Sequence, residues 1–202
     1  MSPIFRKGPL ADSLIDTIRA ADKTILRCKS IGVDPDLSTT AIAVVSYFKG
    51  DTTPTKISSV HTFVAKAEAG TRSMTKVMSM VDAVTMLISR LPMCSSNHLS
   101  AIVESQQLYP DRNESPRSVV AKGNDLIGLA TVSGAAAGAL LRLDSMADVQ
   151  LRLPATWKGQ MDKKAMHARL KHILGDVEVD GPNNSHTRDA ICMAIKNIGM
   201  WS

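Results

Sequence analysis

Residues 31 to 45 read IGVDPDLSTTAIAVV. Two runs rich in apolar and β-branched residues are separated here by Asp34, Pro35 and Asp36. Val, Ile and Thr favour extended backbone, and Asp-Pro-Asp is turn chemistry, so the stretch reads as strand, turn, strand. The second run continues as TTAIAVVSYF, DTTP at 51 to 54 supplies another turn, and KISSVHTFV alternates like a third strand. Together they predict a three-strand meander.

Downstream, residues 71 to 91 place Met74, Val77, Met78, Val81, Val84, Met86 and Ile88 on a broad apolar face, with Pro92 just past the end. That spacing predicts a helix, and a methionine stripe on it is core material. LSAIVE, residues 99 to 104, is a short apolar run ending on a carboxylate, with the pattern of a buried parallel strand. The polar QQLYPDRNESPRS then forms a loop. A long helix is expected over 118 to 143, where Gly128, Gly134, Ala135 and Gly138 admit a close neighbour, either a second subunit or the sheet. VQLRLP gives a further strand, DKKAMHARLKHIL a helix and HTRDAICMAIKNI a closing helix. The order βββαβαβα predicts a mixed α/β sheet with helices on its faces.

Upstream, residues 9 to 26 carry Leu10, Leu14, Ile15 and Ile18 at helical spacing, with Asp12 or Ser13 able to cap the start. They predict a helical extension over residues 1–29, before a single domain over 30–202. The length of 202 residues suits one well-buried core. With 44% hydrophobic and 21% charged residues the chain is ordinary globular material, and with 3% aromatics its core must come from aliphatics and eleven methionines. Net charge is +5 and the pI about 9.2, which suits a polyanionic partner without requiring one. Cys28, Cys94 and Cys192 form no CxxC pair, which argues against a zinc ribbon or a disulfide framework. Arg6 and Lys7 precede a segment broken by Asp12 and Asp16, and no stretch reaches the ~18 consecutive apolar residues of a membrane helix. A soluble, cytoplasmic protein is the expectation.

Three places carry candidate chemistry. Asp34 follows the first strand directly, at the strand end where α/β sheets bind ligands, although an Asp before Pro also suits a turn. Glu104 closes the LSAIV run in the same manner, where solvation alone explains an acid less easily. His186 and Asp189 are three apart at the start of the last helix, so they face one way. The competing reading is capping, which favours Asp and Ser185 near a helix start. Taken together, Asp34, Glu104, His186 and Asp189 offer hard oxygens and one imidazole, a set suited to two Mg²⁺ ions, with Mn²⁺ able to substitute. Carboxylates so crowded repel one another, so the metal-free site is expected to be strained or partly protonated.

These same residues carry a resemblance. IGVDPDLSTTAIAVV, AIVESQQLYP and HTRDAICMAI are similar, in order and spacing, to the motifs of RuvC-type Holliday junction resolvases, nucleases of RNase H-like fold. LPATWKGQMDKKA resembles the Trp-Lys and Asp-Lys elements of the phage, bacterial and plastid branch of that family. The resemblance runs from about residue 30 to the C-terminus. It departs at Asp36, where many members have Gly, and family members carry either Asp or His at the position of His186.

The resemblance implies an RNase H-like mixed sheet whose first and fourth strands are neighbours, bringing Asp34 and Glu104 together. It implies that Asp34, Glu104, His186 and Asp189 bind metal, with Asp36 left open as a contact through water. Lys163 is then expected near the scissile phosphate, although a lysine at a helix start is also ordinary solvated surface. The implied activity is paired, metal-dependent cleavage of four-way DNA junctions by a homodimer, with recombination, repair and genome packaging left open as the process served. DNA contacts are expected from Tyr109, Arg112, Arg117, Lys122, Trp157, Lys158 and Lys164, with Tyr109 either stacking on a base or packing on Pro110. Alternatives with the same acids are a flap or branched-DNA nuclease and an RNase H. A DNA-binding module that has lost activity is a third.

Overall fold

The structure is a computed structural model describing residues 26–49, 54–67, 73–91, 98–106, 116–143, 147–158 and 161–201. The IGVDPD stretch and the run after it form β1 (Leu26–Asp34) and β2 (Thr39–Lys49), antiparallel, with Ile31 opposite Val44 and Asp34 opposite Ala41. β3 (Pro54–Lys66) completes the meander against β2. β4 (His98–Glu104) runs parallel to β1 on its other side, and β5 (Asp148–Arg152) runs parallel to β4. A two-residue β6 (Val179–Asp180) lies parallel to β3, giving the order β5-β4-β1-β2-β3-β6. The expected mixed sheet, with the first and fourth strands adjacent, is what the chain forms.

Both faces of the sheet are covered, which is why its central strands are nearly continuous apolar runs. Alternate residues Ile31, Val33, Ile42, Val44, Leu99, Ala101 and Val103 pack on α1 (Ser73–Ser89) and α2 (Pro116–Leu143). The opposite set, including Ala41, Ala43, Val45 and Ile102, packs on α3 (Pro154–Lys158), α4 (Lys163–Leu174) and α5 (Ser185–Asn197). α5 lies close on β1 because residue 32 is glycine: a Cβ there would stand 1.9 Å from the Ala190 carbonyl oxygen. The Ser30 hydroxyl donates to the Ala194 carbonyl at 2.8 Å and fixes the same helix further along.

Several expectations are corrected. The strand begins at Leu26, so a boundary at residue 29 falls inside β1; the helix expected before it lies outside the described residues. On α1 the buried stripe is Val77, Met80, Val84 and Ile88, while Met74, Met78 and Met86 are exposed, because a helix resting on a sheet buries one narrow side. β6 and the short α3 were not foreseen. α3 starts at Pro154, whose missing N–H costs nothing at a first helical position. On α2 the buried residues Gly128, Val132, Ala136, Ala139 and Leu140 face the sheet and α1, whereas Gly134 is exposed. The segment Gly123–Leu143 has the length and mean hydropathy, 1.6, of a membrane span, but one side of it belongs to this core. Cys28 and Cys192 are both buried.

Candidate active site

Parallel pairing of β1 with β4 sets Val33 opposite Val103, so Asp34 and Glu104 are the next residues on neighbouring strands about 4.8 Å apart. Along β1, Asp34 has the parity of Ser30 and Gly32, the residues under α5. α5 therefore lies over the strand ends with its first turns, which carry His186 and Asp189. His186 Nδ1 lies 2.8 Å from Asp34 Oδ2. Four residues from three distant parts of the chain thus come to the same end of the sheet.

Local hydrogen bonding removes the rival explanations for two of these acids. The turn after β1 is held by Asp36, whose Oδ1 accepts from the backbone N–H of Ser38 at 2.7 Å and of Thr39 at 3.2 Å. Asp34 is therefore not the turn-forming residue, and one Asp36 oxygen is committed to backbone. Likewise α5 is capped by Asn184, whose side chain accepts from the Thr187 N–H at 3.0 Å while Thr187 Oγ1 accepts from the Asn184 N–H at 2.8 Å. With a reciprocal cap in place, neither Ser185 nor Asp189 is needed for that purpose.

The three carboxylates sit in different surroundings. Asp34 is buried, and loss of solvent pushes its carboxyl above the usual range; the His186 contact opposes this, and the charges of Asp189 and Asp36 add to it. Burial also raises Glu104, helped by the charge of Asp34 and opposed by hydrogen bonds from Trp157 and Gln106 and by Lys158. Trp157 Nε1 donates to Glu104 Oε2 at 2.8 Å, and Gln106 Nε2 to Oε1 at 3.2 Å. Asp189 faces two lysines and an imidazole: Lys163 Nζ is 3.6 Å and Lys158 Nζ 4.0 Å from its Oδ2, and His167 Nε2 is 3.5 Å from Oδ1. That buried Oδ1 and His167 Nε2 lack hydrogen-bond partners. The repulsion anticipated between the acids is present, and the neighbouring donors and cations temper it.

Among the described residues no three acids, imidazoles or thiols are drawn together around one point as a ligand group. The donor set nonetheless suits a hard divalent cation: three carboxylates and an imidazole stand at one end of the sheet, with one buried carboxylate oxygen left without a donor. Asp34, Glu104, His186 and Asp189 are the residues that would hold such ions.

The proposed DNA contacts divide. Lys158 and Lys163 flank Asp189, and Lys164 is exposed beside them on α4. Trp157 corrects the sequence reading, because it is 3% exposed and its polar edge is turned inward to Glu104. Tyr109 and Arg112 lie outside the described residues, as do the side chains of Arg117 and Lys122 at the start of α2. His167 and Gln106 were missed. Gln106 follows Glu104 by two residues, and His167 follows Lys163 by four on α4, a helical spacing that does put two side chains on one side.

Comparison with solved structures places RuvC of Thermus thermophilus beside this chain, at 21% identity and a TM-score of 0.49 over 83% of this chain and 91% of that one. The same protein in complex with a Holliday junction substrate gives 21% and 0.49 over 83% and 90%. The human cytomegalovirus terminase nuclease domain, soaked with Mn, gives 12% and 0.42 over 89% and 85%. No protein-family model and no curated protein sequence matches the chain. What the site can do chemically is set by its own side chains.

Proposed function

We propose that this chain is a divalent-metal-dependent nuclease that resolves four-way DNA junctions by paired phosphodiester cleavage. The observation that carries the reading is the convergence of Asp34, Glu104, His186 and Asp189 at one end of the sheet, beside the cations of Lys158 and Lys163. The motifs in which these residues stand, similar to those of RuvC-type resolvases, narrow the substrate from DNA in general to the junction.

The side chains divide the work. Asp34, Glu104, Asp189 and His186 would hold Mg²⁺ or Mn²⁺, and two such ions supply charge stabilisation at the scissile phosphate and the departing oxygen. Lys163, on the first turn of α4, and Lys158 bring positive charge to the same place, where the phosphate gains negative charge during cleavage. Lys164 and the basic residues Arg112, Arg117 and Lys122 extend the phosphate contacts, which makes binding weaken as salt rises. A homodimer matches the symmetry of a four-way junction, one site meeting each of two opposed strands.

The test is cleavage of a synthetic immobile junction in Mg²⁺ or Mn²⁺, beside linear duplex, a flap and an RNA:DNA hybrid. Paired symmetric nicks in the junction are expected, with Asp34→Asn lowering the rate at least about a thousandfold, some 4 kcal/mol of barrier. Preference for the flap or hybrid would replace the substrate assignment. Cutting that survives Asp34→Asn would remove the site from the reaction.

A further inference from the structure

α3 is only five residues long, Pro154–Lys158, yet two adjacent residues of it touch acids from two distant parts of the chain. The Trp157 indole N–H donates to Glu104 on β4 at 2.8 Å. The Lys158 ammonium lies 4.0 Å from Asp189 on α5 and 5.8 Å from the centre of the Trp157 ring. Trp157 is buried against the α5 side of the sheet, so its ring has no freedom to carry the N–H elsewhere.

A glutamate side chain has three rotatable bonds, and a half-buried one needs a donor to hold it in one rotamer. An indole suits this purpose because it donates without bringing charge and is locked by its own packing. A lysine in its place would compete with a cation for the carboxylate.

We infer that Trp157 is a positioning residue, which holds the Glu104 carboxylate aimed at the shared site, and that α3 splints Glu104 to Asp189 through Trp157 and Lys158. This rests on the reading of Glu104 as a metal ligand. Residues that orient a ligand from behind typically change metal affinity when removed.

Trp157→Phe keeps a buried ring and removes the N–H. Calorimetric titration of the full chain with Mn²⁺ should show affinity weakened by about ten- to a hundredfold, with Tm within a few degrees of wild type. The chain has two tryptophans, Trp157 and Trp201, so ¹⁵N-labelled protein gives two indole cross-peaks, assigned by Trp157→Phe and Trp201→Phe. The Trp157 peak should move on Glu104→Gln and on addition of Mg²⁺, and the Trp201 peak on neither. If Trp157→Phe does not fold, this measurement on protein with Trp157 intact decides. Unchanged Mn²⁺ affinity in folded Trp157→Phe, or a Trp157 peak indifferent to Glu104→Gln, overturns the positioning role alone. A wild-type chain that binds no Mn²⁺ sinks the nuclease reading together with it.

Discussion

The two faces of the sheet carry the same kind of apolar residue and are built to different ends. Under α1 and α2, aliphatic side chains meet in a core with few polar groups. Under α3, α4 and α5 the core is of similar extent, but its rim at the ends of β1 and β4 holds Asp34, Glu104 and Asp189 with their donors. The first face tolerates adjustment because side chains can repack. The second must fix a helix to within a fraction of an ångström, since α5 brings two of the four candidate ligands. Gly32 shows the difference: its neighbour across the gap is backbone, whereas the atoms nearest a Cβ at Gly128, on the other face, are the side-chain methyls of Val77 and Leu37.

The largest effect expected from breaking this contrast is therefore at residue 32. In Gly32→Ala the added Cβ would meet the Ala190 carbonyl oxygen at 1.9 Å, which cannot be relieved without lifting α5 from β1. A loss on the order of 4 kcal/mol or more is expected, within the small class of severe point substitutions, and cleavage should vanish with it. Chemical denaturation reads this directly, and a Gly32→Ala protein of wild-type stability would show that α5 is not seated there. Next in size is Met80→Ala on the opposite face. Met80 is fully buried, so truncation should cost about 2 to 5 kcal/mol. Because no candidate ligand lies on that face, the folded fraction should keep the wild-type rate per molecule; a specific loss of rate would mean that the faces are coupled.

The legibility of the sequence divides along the same line. Asp34, Glu104, His186 and Asp189 could be found because each stands at a strand end or helix start, with the period of the apolar residues locating those ends. β6 could not, since two residues carry no period and pair only because β3 offers an edge. Met80 was passed over for Met74 and Met86 because composition does not say which side of a helix meets the sheet. Trp157 was read as a DNA contact from its place in the Trp-Lys element that resembles the family's; its inward turn depends on where β4 ends, some fifty residues earlier in the chain. The first residues of β1 were assigned to a helix because Arg27, Cys28 and Lys29 alternate too briefly to declare a strand.

A smaller effect separates stability from function on the α5 face. Burial raises the Asp34 carboxyl in the folded chain, so the folded state binds this proton more tightly than the unfolded state does. Below the unfolded value both states are protonated and the group is neutral to stability. As pH rises from there through the raised folded value, stability is lost. Asp34→Asn has no charge to bury. In buffer free of divalent cations it should melt higher than wild type by on the order of 2 °C at pH 7, with the difference shrinking toward pH 4. A reversed difference would mean that the His186 contact outweighs the loss of solvent, and a constant one that the two balance.

The smallest expected change lies on α2, where the glycines differ in kind. Gly128 is buried against Val77 and Leu37, but nothing lies within 4 Å of a Cβ at Gly134. Glycine inside an exposed helix gives up backbone entropy without compensation, so Gly134→Ala should stabilise the isolated chain by about 0.5 to 1 kcal/mol. The same substitution probes whether the exposed half of α2 meets a second copy in solution. A surface open to water gains from the methyl group and keeps its association state. A helix packed on another through residue 134 loses that close approach, so a drop in stability with a shift toward monomer in sedimentation would assign this side of α2 to the dimer.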